Sequence, residues 1–256
     1  MIQYPDISPV IFHAGPFAVR WYGIAYLIGF AAWYLYISQK RRRRRLAIEG
    51  KVDTLVTYAI LGVILGGRIG YILIYNLPYY LAHPLNMLAV WQGGMSFHGG
   101  ATGLIIAGIL FCKRYKVDFY SLADETVSIA PVGLFFGRIA NFINDELYGR
   151  VSNLPWAMVF PKGGPLPRHP SELYEAFLEG IVLLIIMQLS KRFLLDKKGK
   201  LLWLFIMLYG VFRFLVEFTR EPDPQLGFIV AGLSMGQLLS IPMIIIGGYL
   251  LVRKKA

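Results

Sequence analysis

Seven apolar stretches, at about 19–38, 54–76, 97–112, 124–143, 172–190, 201–218 and 235–252, dominate this sequence. Most are near the ~20 residues a helix needs to cross a bilayer. In lipid the backbone has to satisfy its own hydrogen bonds, so such stretches fold as spanning helices. The connections between them alternate in character. Lys40 and 41–45 with Lys51, then Lys113, Arg114 and Lys116, then Lys191, Arg192, Lys197, Lys198 and Lys200, and finally Arg253, Lys254 and Lys255 hold most of the 26 basic residues. Basic connections stay in the cytoplasm. The pattern therefore predicts an all-α membrane protein with seven transmembrane helices, N-terminus outside and C-terminus inside. The arginine run 41–45 reads as a topology anchor beside anionic lipid. With 56% hydrophobic and 16% charged residues, the chain is more apolar than a soluble domain. The net charge of +11 alone would suit nucleic acid, but the placing of the basic residues argues against it, as does the lack of an RNA-binding aromatic signature or zinc spacing.

No Ser/Gly linker or low-complexity stretch divides the chain, which predicts one polytopic membrane domain over 1–256. The outer connections are rich in turn formers: 77–96 holds Pro78, Pro84 and Gly93-Gly94, and 145–171 holds Pro155, Pro161, Pro165, Pro167 and Pro170. The segment 145–171 is expected to form a small external subdomain between the fourth and fifth spans, with one short strand within 156–160. Ser171 is placed to cap the next helix, and Glu172 and Glu175 fall in its first turn, where negative charge suits the helix dipole. The first residues lack a basic n-region and no small-residue cleavage site follows, so the N-terminal segment is expected to be retained. Cys112 is the only cysteine, which leaves no internal disulfide or thiolate metal site, and it is expected to be buried.

Residues 137–149 read Gly-Arg-Ile-Ala-Asn-Phe-Ile-Asn-Asp-Glu-Leu-Tyr-Gly, a polar run closing the fourth apolar stretch. Ionisable residues inside spans are costly and mark functional sites by default. Arg68, Arg138, Arg213 and Glu217 are such residues, and Tyr209, Arg213 and Glu217 recur every four positions, on one helix face, with Arg220 a turn beyond. Three arginines against one glutamate leave positive charge that a buried guanidinium cannot shed, so an anion is expected. A phosphate fits the guanidinium fork, which points to a phospholipid. The arginines fall in the outer halves of outward-running spans, which turns the site toward the outer leaflet. Gly62, Gly66 and Gly70, Gly99 with Gly103, and Gly133 with Gly137 form small-xxx-small steps suited to close helix packing. His98 lies among glycines, where an imidazole is open to act as a base. His13, His83 and His169 form no metal-ligand cluster in sequence, and no serine sits in a nucleophile elbow.

The run 137–149 resembles the signature of the prolipoprotein diacylglyceryl transferase family, with Asp145 at a variable position where Gly is most expected. The likeness extends through Arg20-Trp21-Tyr22-Gly23, Gly66-Gly67-Arg68-Ile69-Gly70-Tyr71, the run from Gly93 to Gly100, Arg168-His169-Pro170-Ser171-Glu172-Leu173-Tyr174-Glu175, Phe212-Arg213-Phe214 with Glu217-Phe218, and Ser234-Met235-Gly236-Gln237. The resemblance implies transfer of the diacylglyceryl group from phosphatidylglycerol to the lipobox cysteine of an exported preprolipoprotein, forming a thioether and releasing glycerol-1-phosphate. It implies a bacterial inner-membrane enzyme without metal or organic cofactor, whose protein substrate arrives as a signal-peptide helix. On this likeness Arg138 and Arg213 serve the phosphate, and Asn141, Asn144 and Glu146 serve the glycerol headgroup or orient the arginines. Tyr22 and Tyr209 line the pocket, and Gly149 and Glu217 belong to the substrate-binding set. Arg68 is either a second phosphate ligand or a partner for Glu217. His98 is the leading base, with Glu146 or water as alternatives. Two other classes use intramembrane arginines: an anion transporter or channel, and a noncatalytic phospholipid-binding assembly factor. The first calls for polar sites at the midplane on broken helices, and the second has no use for a base.

Overall fold

The chain is described from a computed structural model, which covers every residue except 1, 6, 16, 91, 92, 223–226, 231 and 254–256, and the backbone alone at 14, 17 and 228. Lys254 and Lys255 thus lie outside the described residues. The elements are β1 (Ile2–Gln3), β2 (Val10–Ala14), β3 (Phe17–Arg20), α1 (Trp21–Ile37), α2 (Lys40–Leu46), α3 (Val52–Tyr75), α4 (Leu77–Ala82), a 3-10 turn (Pro84–Leu88), α5 (Phe97–Tyr115), α6 (Phe119–Val127) and α7 (Ala130–Ile143). There follow β4 (Met158–Val159), a second 3-10 turn (Pro161–Gly163), α8 (Ser171–Glu175), a π-helical stretch (Ala176–Val182), α9 (Leu183–Leu194), α10 (Lys200–Val216), β5 (Phe228–Val230), β6 (Leu233–Ser234) and α11 (Met235–Val252). The protein is a mainly helical membrane protein, and helices occupy all seven apolar stretches. Among the described residues, three helices are long and apolar enough to cross a bilayer: Val52–Tyr75, the continuous Ser171–Leu194 and Met235–Val252. The pair α6 and α7, bent by 46°, makes a fourth if taken as one broken span. Pro131 near the start of α7 explains the break, since it has no N–H to continue the ladder.

Local chemistry moves several helix ends away from the predicted ones. Val19 and Arg20 belong to the hairpin β2–β3, so α1 starts at Trp21. The third stretch runs three residues further than expected, to Tyr115, and closes at Lys116 in the left-handed conformation. The strand expected within 156–160 is only Met158–Val159, and it pairs in parallel with β1. Ser171 does not cap its helix: the N-cap is Pro170, and the Ser171 hydroxyl donates to Leu147 O at 3.0 Å.

The chain forms two compact units, Ile37–Leu122 and the remainder, Met1–Tyr36 with Ala123–Ala256. In the first, α3 and α5 meet backbone to backbone: a Cβ on Gly66 would stand 2.4 Å from Gly99 O, and one on Gly62 2.6 Å from Gly103 O. Small residues allow this approach, as the sequence predicts. In the second unit, Gly133 faces Gly29 of α1, whereas the Cβ direction of Gly137 meets nothing within 4 Å among the described residues. The expected Gly133/Gly137 packing step is therefore half correct. Val127, Leu183, Met187 and Leu201 form a buried core against α10. The start of α10 is capped from outside the helix by the buried Asp124, which accepts from Gly199 N at 2.6 Å and Leu202 N at 2.8 Å. Cys112 is free and buried, as expected.

Candidate active site

The polar run begins in the last turns of α7, which carry Arg138 and Asn141, and continues through Asn144 at the C-cap. Arg138 reaches to the helix 171–194, where its Nη1 lies 3.1 Å from Glu175 Oε2 and its Nη2 3.3 Å from Glu179 Oε2. Both carboxylates are fully buried. Arg213 of α10 pairs with the other oxygen of Glu175 and, at 2.8 Å, with Glu217. Arg220, just past α10, lies 3.0 Å from Glu175 Oε1 and 3.7 Å from Glu217 Oε2. One carboxylate thus gathers three guanidinium groups. Tyr209, a turn before Arg213, stands within electrostatic reach of Arg138, Arg213, Glu175 and Glu179, and stacks on Phe205.

The backbone explains how the network closes. Ala176–Val182 is wound as a π-helix, a form concentrated at functional sites. Gly180 lies within it, and a Cβ there would come within 2.7 Å of the Phe135 Cβ, so α7 approaches closely enough for Arg138 to reach both glutamates. Ser234, Gly236 and Gln237 complete the far side. The Ser234 hydroxyl donates to Glu217 Oε1 at 2.9 Å, a Cβ on Gly236 would stand 2.6 Å from the Glu217 carboxyl carbon, and Gln237 forms a capping box with Ser234.

Three arginines in this network pair with three glutamates, 175, 179 and 217. This corrects the sequence argument for Arg138 and Arg213, which do have counter-ions. Glu175, which the sequence places where negative charge suits the helix dipole, is the hub, and Glu179 is a site residue that the sequence reading missed. The same rule that singled out the arginines, an ionisable group inside an apolar stretch, would have found both. The network still presents donors. Each guanidinium has five N–H groups, more than the carboxylates take, and the side chains of Arg138 and Arg213 remain 17% and 15% exposed.

Beside it lies a second cluster. Asn141, itself buried, donates to Glu146 Oε1 at 2.7 Å and to the Tyr22 hydroxyl at 3.5 Å, and Asn144 donates to the same Glu146 oxygen at 3.4 Å. Tyr22 lines a groove of about 470 Å³ with Arg20, Gly23 and Leu27. The loop that follows is held in place by its own bonds. The Gly149 N–H donates to His169 O at 2.8 Å, Gly149 bridges to Arg220, and a Cβ there would meet Thr219 O at 2.3 Å. Gly149 therefore seats the loop against the segment that carries Arg220. Arg168 holds Gly149 O at 3.2 Å and Glu221 at 2.9 Å. Burial, with the nearby Arg150 charge, holds the His169 imidazole below its ordinary pKa. Burial raises the Asp145 carboxyl, opposed by a bond from Lys162 N and by the Lys162 charge.

His98 and Arg68 belong to the unit Ile37–Leu122. His98 is the second residue of α5, with an exposed ring that makes no hydrogen bond to any described residue. The Glu217 carboxylate is met by Arg213, Arg220 and Ser234 within its own unit, and Arg68 makes its bonds within the unit Ile37–Leu122. It is 4% exposed and bonded to backbone carbonyls of 86–94.

The family of prolipoprotein diacylglyceryl transferases matches residues 9–253. Proteins named phosphatidylglycerol–prolipoprotein diacylglyceryl transferase are similar over nearly the whole chain. The one from Geobacter sulfurreducens is 54% identical over 249 residues, 96% of this chain and 95% of the relative. That from Desulfotalea psychrophila is 53% identical, covering 95% and 92%, and that from Rickettsia akari 47%, covering 98% of each. The matched span takes in the arginine network, the Asn141–Glu146 cluster and the loop that closes on them, and so the chain belongs to the prolipoprotein diacylglyceryl transferase family.

Proposed function

We propose that this protein transfers the diacylglyceryl group from phosphatidylglycerol to the lipobox cysteine of exported preprolipoproteins. It does so as a seven-span enzyme of the bacterial inner membrane, N-terminus outside and C-terminus inside, with its site facing the outer leaflet. The whole chain 1–256 is one polytopic membrane domain in this reading, and 145–171 is its external subdomain. The observation that carries it is the convergence of Arg138 and Arg213, from different helices, on the buried Glu175 in a chain of this family.

The reaction is substitution at a saturated carbon. The cysteine sulfur bonds to the diacylglyceryl carbon as the bond from that carbon to the phosphate oxygen breaks, and glycerol-1-phosphate leaves. The thiol proton passes to His98, whose ring is open, whereas Glu146 is already held by two asparagines. Charge grows on the leaving phosphate, where preorganised donors in a water-poor site act most strongly. Paired with glutamates, Arg138 and Arg213 serve as aimed N–H donors rather than as unpaired cations. The ion pairs hold the two forks in place, and removing one partner of such a buried pair costs about 3–5 kcal/mol. Asn141, Asn144, Glu146 and Tyr22 take the headgroup glycerol, Tyr209 lines the pocket, and Glu217 and Gly149 hold the arginine-bearing segments. The peptide enters laterally as a signal-peptide helix.

The test is purified protein in phosphatidylglycerol vesicles with a lipobox peptide. Thioether product and glycerol-1-phosphate are expected in equal amounts, with none from a peptide whose cysteine is replaced by serine. Headgroup binding without transfer would establish a binding factor instead, and anion flux across the vesicles a transporter.

A further inference from the structure

Among the described residues no carboxylate pairs with Arg68, and its charge is met by backbone carbonyls. Nε donates to Met87 O at 2.9 Å, Nη1 to Gly93 O at 2.6 Å and Gly94 O at 3.2 Å, and Nη2 to Asn86 O at 2.5 Å. The Tyr80 ring packs 5.0 Å from the guanidinium carbon. Of the five N–H groups a guanidinium offers, four are spent on the two ends of the connection 86–94. A group so committed and so buried has little left for a lipid phosphate.

That connection leads straight into α5. The Ser96 N–H donates to Gly67 O at 2.9 Å, next to Arg68, and the Ser96 hydroxyl caps α5 by accepting from Gly99 N at 3.2 Å. From the other side, a Cβ on Gly99 would lie 2.3 Å from Gly66 O, which fixes α5 against α3 one residue past His98. Gly94 completes the clamp. Its φ of +76° is a conformation that L residues avoid, and a Cβ there would stand 2.9 Å from Arg68 Nη1. His98 is therefore held between a helix contact and a loop whose carbonyls converge on one guanidinium.

We propose that Arg68 is a positioning residue that sets His98 by clamping the connection 86–94, and that it does not bind the lipid phosphate. The proposal rests on the reading of His98 as the base of the transfer reaction. Misplacing a reacting group by ~1 Å costs on the order of 100-fold in rate.

The experiment compares Arg68→Ala with wild type in the transfer assay, with and without guanidinium ion at concentrations far below those that unfold proteins. The expected result is kcat lower by roughly 100-fold, KM for phosphatidylglycerol within about twofold of wild type, and partial recovery with guanidinium but not methylammonium. Gly94→Ala, which disturbs the clamp from the loop side, is expected to lower kcat at unchanged KM and decides the matter should Arg68→Ala fail to fold. A raised KM with kcat intact, no recovery by guanidinium in a folded Arg68→Ala enzyme, or wild-type turnover in Gly94→Ala would each overturn the proposal. Wild-type protein that makes no thioether in the same assay would instead overturn the transferase reading.

Discussion

Arg138 illustrates why the type of cation matters. Its two terminal nitrogens answer different carboxylates, Glu175 and Glu179, while the rest of the fork remains to meet a ligand. A lysine offers one ammonium and cannot hold both partners and a phosphate at once. Arg138→Lys is accordingly expected to lower the transfer rate by roughly 100-fold, whereas Arg42→Lys, in the arginine run of α2, is expected to leave it unchanged at equal protein. Equal rates for the two variants would remove Arg138 from the site. The arginines were legible because charge inside an apolar stretch is conspicuous. Glu175 is less conspicuous because an acid near a helix start already has an adequate role at the helix dipole, although only Glu172 falls in the first turn of α8. The bonds of Arg68 are not legible for a deeper reason: its acceptors are main-chain carbonyls, which every residue carries and no sequence marks. Asp145 is a smaller case, since its φ of 53° is the left-handed conformation that explains why glycine suits that place in the run.

At the scale of elements, the apolar lengths located the helices to within a few residues, and what they left out lay at the ends and in the facing. Helix ends are set by local agents such as Pro131, the β2–β3 hairpin and the Ser96 cap. Which glycines face a neighbour depends on how helices are rotated, and spacing alone does not reveal that. Gly99 and Gly137 both stand in small-xxx-small steps in the sequence, yet only Gly99 meets another backbone. The two give opposite expectations. Gly99→Ala forces its methyl onto Gly66 O and is expected to destabilise the protein by about 1–3 kcal/mol, the usual cost of overpacking. Gly137→Ala points into open space and is expected to stay within about 0.5 kcal/mol of wild type. Unfolding of both variants in the same detergent micelle checks this, and equal losses would show that the α3–α5 approach is not as close as described.

Across the whole molecule, orientation is the property that the alternating charge predicts and that helix lengths alone leave open. α1 and α10, at 17 residues each, rise about 26 Å at ~1.5 Å per residue, short of a ~30 Å hydrocarbon core. Polar bonds in the larger unit bear on this. Lys191, near the end of α9, pairs with Glu125 of α6 at 2.5 Å, and Tyr36, at the end of α1, donates to the same carboxylate at 3.1 Å. Asp124 caps the start of α10, and Lys200 donates to Leu250 O, Leu251 O and Arg253 O at the end of α11. These are ends that the positive-inside bias assigns to one face. Lys200 also reaches carbonyls at a helix terminus, where a cation is favoured. Three single-cysteine proteins on a Cys112→Ser background test the orientation with a membrane-impermeant maleimide. Trp156→Cys is expected to react in intact spheroplasts, while Lys198→Cys and Arg45→Cys are expected to react only in inverted vesicles. If Lys198→Cys were labelled from outside, the basic connections would not share the cytoplasmic face, and the arginine network would open to the wrong leaflet to meet an exported substrate.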